Sequence, residues 1–148
     1  MMVERLSLDQ VAREADRIVY ATVVEVHSDR DESGFPATWV TFDVARTVKG
    51  PDTPTLTIKQ YGVATPLADG TITRIAGLSR YAVGDEVVLF LRRNSRLGFT
   101  SPVGLGQGSY RVRRAAGRGT VRSDLPGSGP RDLDEFLSEV TRLAADTP

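Results

Sequence analysis

The chain has 148 residues, with 19 Lys+Arg against 19 Asp+Glu, one His and no Cys. At roughly 150 residues per domain, residues 1–148 form a single domain, large enough to bury a core without cross-links. Without cysteine there is no disulfide, no thiolate metal site and no Cys nucleophile, and one His excludes any site that needs two imidazoles.

With 40% apolar and 26% charged residues the composition is that of a soluble globular protein. No run approaches the roughly 18 apolar residues of a transmembrane helix. The N-terminus, MMVERLSLDQ, lacks the basic and apolar regions of a signal peptide. The chain therefore reads as cytoplasmic, or as an exported protein from which a leader has been removed. Only Lys49 and Lys59 are lysines, and the resulting arginine bias most simply reflects a GC-rich genome.

A helix is predicted over residues 7–16. Ser7 and Gln10 have capping-box spacing, Leu6 and Val11 occupy the staple positions, and Leu8, Val11, Ala12 and Ala15 make one apolar face. From Arg17 the pattern turns to β. Ile18 to Val26 is rich in β-branched residues and apolar on both faces in its first half, which marks a central strand covered by the helix. Residues 28–36 read as a polar loop, and Ala37 to Val48 alternate as a second strand with Val40, Phe42, Val44 and Val48 on one face. The turn Lys49 to Pro54 leads to a third alternating strand, Thr55 to Tyr61.

Residues 62–80 form a long loop, a length that marks functional or partly structured connections. Val87 to Leu91 reads as a strand buried on both faces, and Ser109 to Arg113 and Thr120 to Arg122 as further strands. The Gly/Pro/Ser-rich residues 124–130 read as a linker before a C-terminal helix, 131–145, capped by Asp132-x-x-Glu135 and striped with Leu133, Phe136, Leu137, Val140, Leu143 and Ala144. A helix, five to seven strands with hairpin-scale connections, and a second helix do not make the alternating pattern of a parallel sheet. The predicted fold is mainly β: a small closed or partly open Greek-key, OB-like barrel over residues 17–123, with a β-sandwich as the alternative.

Each candidate chemistry has a plainer structural explanation. Asp29-x-Asp31-x-Ser33-Gly34 matches the first half of a calcium loop, but Val40 stands where the bidentate acid is required. Asp29, Asp31 and Ser33 are thus a weak metal candidate, and no metal or cofactor is expected. Gly104-x-Gly106-x-Gly108 precedes a strand rather than a helix, so it reads as a bend and not a phosphate loop. His27 lies beside Asp29 and Asp31 with no nucleophile elbow anywhere in the chain. Asp85-Glu86 is an adjacent pair, and neighbours on a strand point to opposite faces; Asp134-Glu135 is an adjacent pair in the predicted helix, where such neighbours do not face each other either. No catalytic constellation is recognisable.

One feature is unusual. Between Glu86 and Asp124 there is no acid, while Arg92, Arg93, Arg96, Arg111, Arg113, Arg114, Arg118 and Arg122 fall in that stretch, with Tyr110 among them. On a barrel these residues form a candidate face for an anionic partner, or for single-stranded nucleic acid if aromatics interleave with the cations. Against nucleic acid, the chain is neutral overall and only 7% aromatic, and the acidic terminal segments could fold over the patch.

Ala15-Asp16-Arg17-Ile18-Val19, Thr22-Val23-Val24, Val40-Thr41-Phe42-x-Val44 and Val48-Lys49-Gly50 resemble segments of a recurrent, largely uncharacterised bacterial domain. Val83-Gly84-Asp85-Glu86-Val87-x-Leu89-Phe90-Leu91 and Gly106-Gln107-Gly108 continue the likeness, which spans most of residues 7–114. That domain often follows a signal peptide and is similar in outline to the OB-like barrels of netrin-type modules and tissue metalloproteinase inhibitors. The resemblance implies a barrel and export, and it transfers no functional residue. The missing cysteines remove the N-terminal Cys through which those inhibitors chelate zinc. The expected function is a non-enzymatic β-barrel binding module for a protein or an anionic partner, extracytoplasmic if a leader has been removed. OB-type nucleic-acid binding through residues 92–122 is the alternative.

Overall fold

The computed structural model describes residues 5–63, 66–70, 72, 79–125 and 127–146. Helix α1 (Leu8–Glu14) opens with both bonds of the capping box: Gln10 N–H donates to Ser7 Oγ, and Ser7 N–H to Gln10 Oε1. Seven residues cannot hold a helix in water, so its stability comes from burying Val11 and Ala12. Ala15 turns extended, Asp16 N–H reaches Leu91 O, and the chain enters β1 (Arg17–Arg30).

Strand β1 pairs antiparallel with β2 (Pro36–Lys49), and the ladder runs out to Arg30↔Pro36, leaving a tighter connection than the sequence suggested. Asp31 makes that tight turn feasible, its Oδ1 accepting from Ser33 N–H and Phe35 N–H. β3 (Thr55–Tyr61) follows β2, and β4 (Glu86–Leu91) returns to the other side of β1. β5 (Ser109–Ala115), β6 (Arg118–Ser123) and the two-residue β7 (Arg131–Asp132) complete one antiparallel sheet in the order β3-β2-β1-β4-β5-β6-β7.

The fold is mainly β, as predicted, but a single sheet replaces the two of a sandwich, and no continuous ladder closes it among the described residues. Register shifts at three places along β1–β2 mark irregularities that bend the sheet. The curvature brings β3 toward the segment after β4, where Leu91 bridges Pro102 and Thr100 N–H donates to Lys59 O at 2.8 Å. Residues 131 and 132, assigned to the C-terminal helix from sequence, pair with β6 instead. Helix α2 (Leu133–Ala145) starts after them, with Glu135 N–H donating to the Asp132 carboxylate. Residues 64, 65, 71 and 73–78 of the predicted loop 62–80 lie outside the described residues.

Two apolar layers hold the sheet. On the helix side Ile18, Val88, Phe90 and Val121 meet Val11 and Ala12 of α1 and Phe136, Leu137 and Val140 of α2. On the other side Val19, Ala21, Val23, Val40, Phe42, Ile58, Val87, Leu89 and Leu91 pack with Tyr81. β4 serves both layers, which accounts for its uninterrupted apolar run. The glycine-rich segment forms a 3₁₀ turn, Leu105–Gly108, pressed against β4. There the Gln107 side chain is buried and accepts Leu6 N–H at 2.7 Å.

Candidate functional site

The arginine stretch is dispersed over the fold, and four of its eight arginines meet acids from elsewhere in the chain. Arg92 lies 3.7 Å from Glu14 and Arg93 3.6 Å from Asp16, so the acidic end of α1 faces the start of the stretch. Arg111 is held by Asp85 at 2.7 Å and Asp124 at 2.9 Å, donates to Arg80 O, and lies over the Tyr81 ring. Burial opposes its charge, but the Asp124 hydrogen bond and the fields of Asp124 and Asp85 outweigh it and raise the Arg111 pKa. Tyr81 beneath it is pushed up to about 12 by burial, although its hydroxyl shares a 2.8 Å hydrogen bond with Ser109.

Arg114 lies on the opposite face of β5, toward the helices. It donates to Glu86 at 2.7 Å and to the Tyr20 hydroxyl at 2.9 Å, and Tyr20 donates in turn to Glu86. The Arg114 hydrogen bond holds the Glu86 carboxyl below its ordinary pKa, while burial raises that of Tyr20. Tyr110, placed among the candidate binding residues by sequence, shares that face and packs on Phe136 with ring centroids 4.6 Å apart and on Phe90 at 5.5 Å. Its ring belongs to the core.

Arg113, Arg118 and Arg122 come together. In the β5–β6 ladder Arg111 pairs Arg122, Arg113 pairs Thr120 and Ala115 pairs Arg118, and directly paired residues share a face. Arg113 therefore stands diagonally between Arg118 and Arg122 around Thr120, and all three arginines are exposed. None of the three has an acid within salt-bridge distance among the described residues. Arg96 is likewise exposed, but in a turn remote in sequence from this hairpin.

The chain matches no known family model, and no curated protein is significantly similar to it.

The weak metal candidate is drawn into internal contacts. Asp31 gives one oxygen to two backbone N–H groups and the other to Lys59 Nζ at 2.7 Å, and Asp29 accepts from Arg30 N–H. The Lys59 hydrogen bond lowers the Asp31 pKa, and no trio of His, Asp or Glu among the described residues converges on a common point. His27 stacks on Trp39 at 5.9 Å between ring centroids.

Two features escaped the sequence reading. One is a satellite cluster in which Lys59 Nζ sits 4.4 Å from the Phe99 ring centre, with Tyr61 and Phe35 packed around Phe99. The other is a cleft of about 370 Å³ between β3 and residues 91–94, lined by apolar Leu56, Ile58 and Leu91 and by three cations, Arg17, Arg92 and Arg93, against one acid, Asp16. Alternation within β3 signalled that one face was apolar. Nothing in the sequence signalled which segment would lie opposite its free edge.

Proposed function

We propose that the chain is a non-enzymatic binding module, an OB-like barrel with two docked helices, that engages an anionic partner through Arg113, Arg118 and Arg122. The observation that carries this reading is the contrast within one stretch: Arg111 and Arg114 are held by internal carboxylates at 2.7–2.9 Å and Arg92 and Arg93 lie 3.6–3.7 Å from one, while these three are exposed together with none in salt-bridge distance among the described residues. Guanidinium groups suit planar carboxylates and phosphates because each presents a fork of donors. The barrel reading is supported by the strand order β3-β2-β1-β4, the Greek-key sequence of neighbours, and by the approach of Thr100 to Lys59 across the gap. The resemblance to the bacterial domain of netrin-like outline supports the same architecture and adds export.

Nucleic acid is the less favoured partner, because Tyr110 is engaged in the core and stacking needs an exposed ring beside the cations. The test is fluorescence anisotropy with a labelled heparin oligosaccharide and a labelled oligothymidylate of similar charge. Exposed cations contribute up to about 1 kcal/mol each, so the R113A/R118A/R122A variant should bind heparin roughly ten- to a hundredfold more weakly at unchanged Tm. Wild-type binding should also weaken with salt. Equal binding by variant and wild type would refute the assignment, and tighter binding of the oligothymidylate than of heparin would transfer it to nucleic acid.

A further inference from the structure

Beside the cleft, no strand among the described residues pairs with the outer edge of β3. Gly62 N–H bonds to Pro36 O and Val44 N–H to Pro54 O, which fixes the phase of the β2–β3 ladder. In an antiparallel ladder alternate residues point their backbone groups to the same side, so Thr55, Thr57, Lys59 and Tyr61 turn theirs away from β2. Along this free edge the described residues supply one backbone partner, Thr100 N–H to Lys59 O. The edge at Thr57 borders the cleft, while Thr55 O accepts from the Thr53 hydroxyl.

The opposite wall cannot close the gap. Arg92 N–H is taken by Ser101 O, Arg93 N–H by the Asp16 carboxylate, and Leu91 O by Asp16 N–H. An incoming segment therefore finds open ladder positions on β3 alone. Its residues opposite Leu56 and Ile58 would face the apolar lining, and the residue opposite Thr57 would face outward. Around the mouth, the Arg93 side chain is 86% exposed and that of Arg92 48%, each only loosely paired with an acid, and Arg17 stands beside them. Long, exposed ion pairs of this kind contribute little and exchange readily for a better-placed carboxylate.

We propose that the β3 edge takes up an extended acidic peptide by strand addition, with apolar side chains entering the cleft over Leu56, Ile58 and Leu91 and carboxylates meeting Arg17, Arg92 and Arg93. Main-chain bonds to Thr57 supply affinity in this mode, and the alternate pockets supply specificity. This surface is separate from the β5–β6 arginine face, so the two assignments stand or fall independently.

The test uses the full chain and a labelled, capped peptide of alternating glutamate and valine, with a lysine–valine peptide of equal length as control. The proposal expects saturable binding of the acidic peptide and slowed amide exchange at Thr57 and Lys59, read by NMR. T57P removes the outward N–H, a change that edge strands tolerate, and should abolish binding; R92E/R93E should weaken it at least tenfold. R113A/R118A/R122A should bind the peptide as the wild type does. Absence of saturable binding, equal binding of the lysine peptide, or full binding by T57P would each overturn the proposal. Protection of the same amides by self-association without peptide would also overturn it, by giving the edge to a second copy. If T57P fails to fold, the exchange measurement on the wild type decides the matter.

Discussion

Replacing Gly108 by alanine tests how closely the glycine-rich turn is packed against β4. A Cβ at this position would lie 2.7 Å from Val103 N, 2.7 Å from Val103 O and 2.9 Å from Phe90 O, whereas ordinary contact begins at 3.4 Å. All three atoms are backbone, so no side chain can rotate away. The turn must separate from β4, straining the Val103 N–H to Phe90 O hydrogen bond that joins them at 2.8 Å. Overpacking of this kind costs about 1–3 kcal/mol, and the weakened hydrogen bond adds about 1 kcal/mol. At about 2–4 °C per kcal/mol for a domain of this size, Tm should fall by roughly 8 °C. Gly129 is the matched control: a Cβ there would meet nothing within 4 Å and its φ is not positive, so G129A should melt with the wild type. The assay is thermal unfolding followed by far-UV circular dichroism at equal protein concentration. Coincident melting of G108A, G129A and wild type would refute the packing described for this turn.

Two further perturbations test the core and the charge network. F136A empties the site between Phe90 and Tyr110 and should destabilise by about 3–5 kcal/mol in urea titration, with F136L losing clearly less. Glu86 has a folded-state pKa lowered chiefly by the Arg114 hydrogen bond, so its contribution is present above the unfolded carboxyl value of about 4.3 and is lost as pH falls through the folded-state value. R114M should therefore be less stable than wild type at neutral pH, and the two urea midpoints should converge in acid; a constant gap from pH 7 to pH 2 would contradict this linkage.

Much of the scaffold was legible in local pattern. Ser7 and Gln10 announced the helix cap because capping needs only residues three apart, and that cap is present. The β4 run read as buried on both faces because only a strand between two apolar layers tolerates such a sequence. Where a strand ends was less legible: β1 reaches Arg30 and β7 recruits Arg131 and Asp132 because ladder bonds to a partner extend polar segments that alternation alone would call loop. The candidate site was legible as composition and not as geometry. The acid-free stretch was visible, but its division into held and exposed arginines depended on Glu14, Asp16, Asp85, Glu86 and Asp124, all outside it.

The sequence by itself determined a mainly β chain with two capped helices and a charge balance that conceals a basic stretch between acidic neighbours. These follow from interactions between residues close in the chain: side-chain alternation, cap spacing and turn composition. Tertiary structure alone decided that the described strands join in one sheet, that Tyr110 packs into the core, and that Arg113, Arg118 and Arg122 share one exposed face. Those outcomes depend on strand order and register, which are set by packing between residues far apart in sequence. Of the eight arginines in the basic stretch, four thus meet a carboxylate and three of the other four define the proposed binding face.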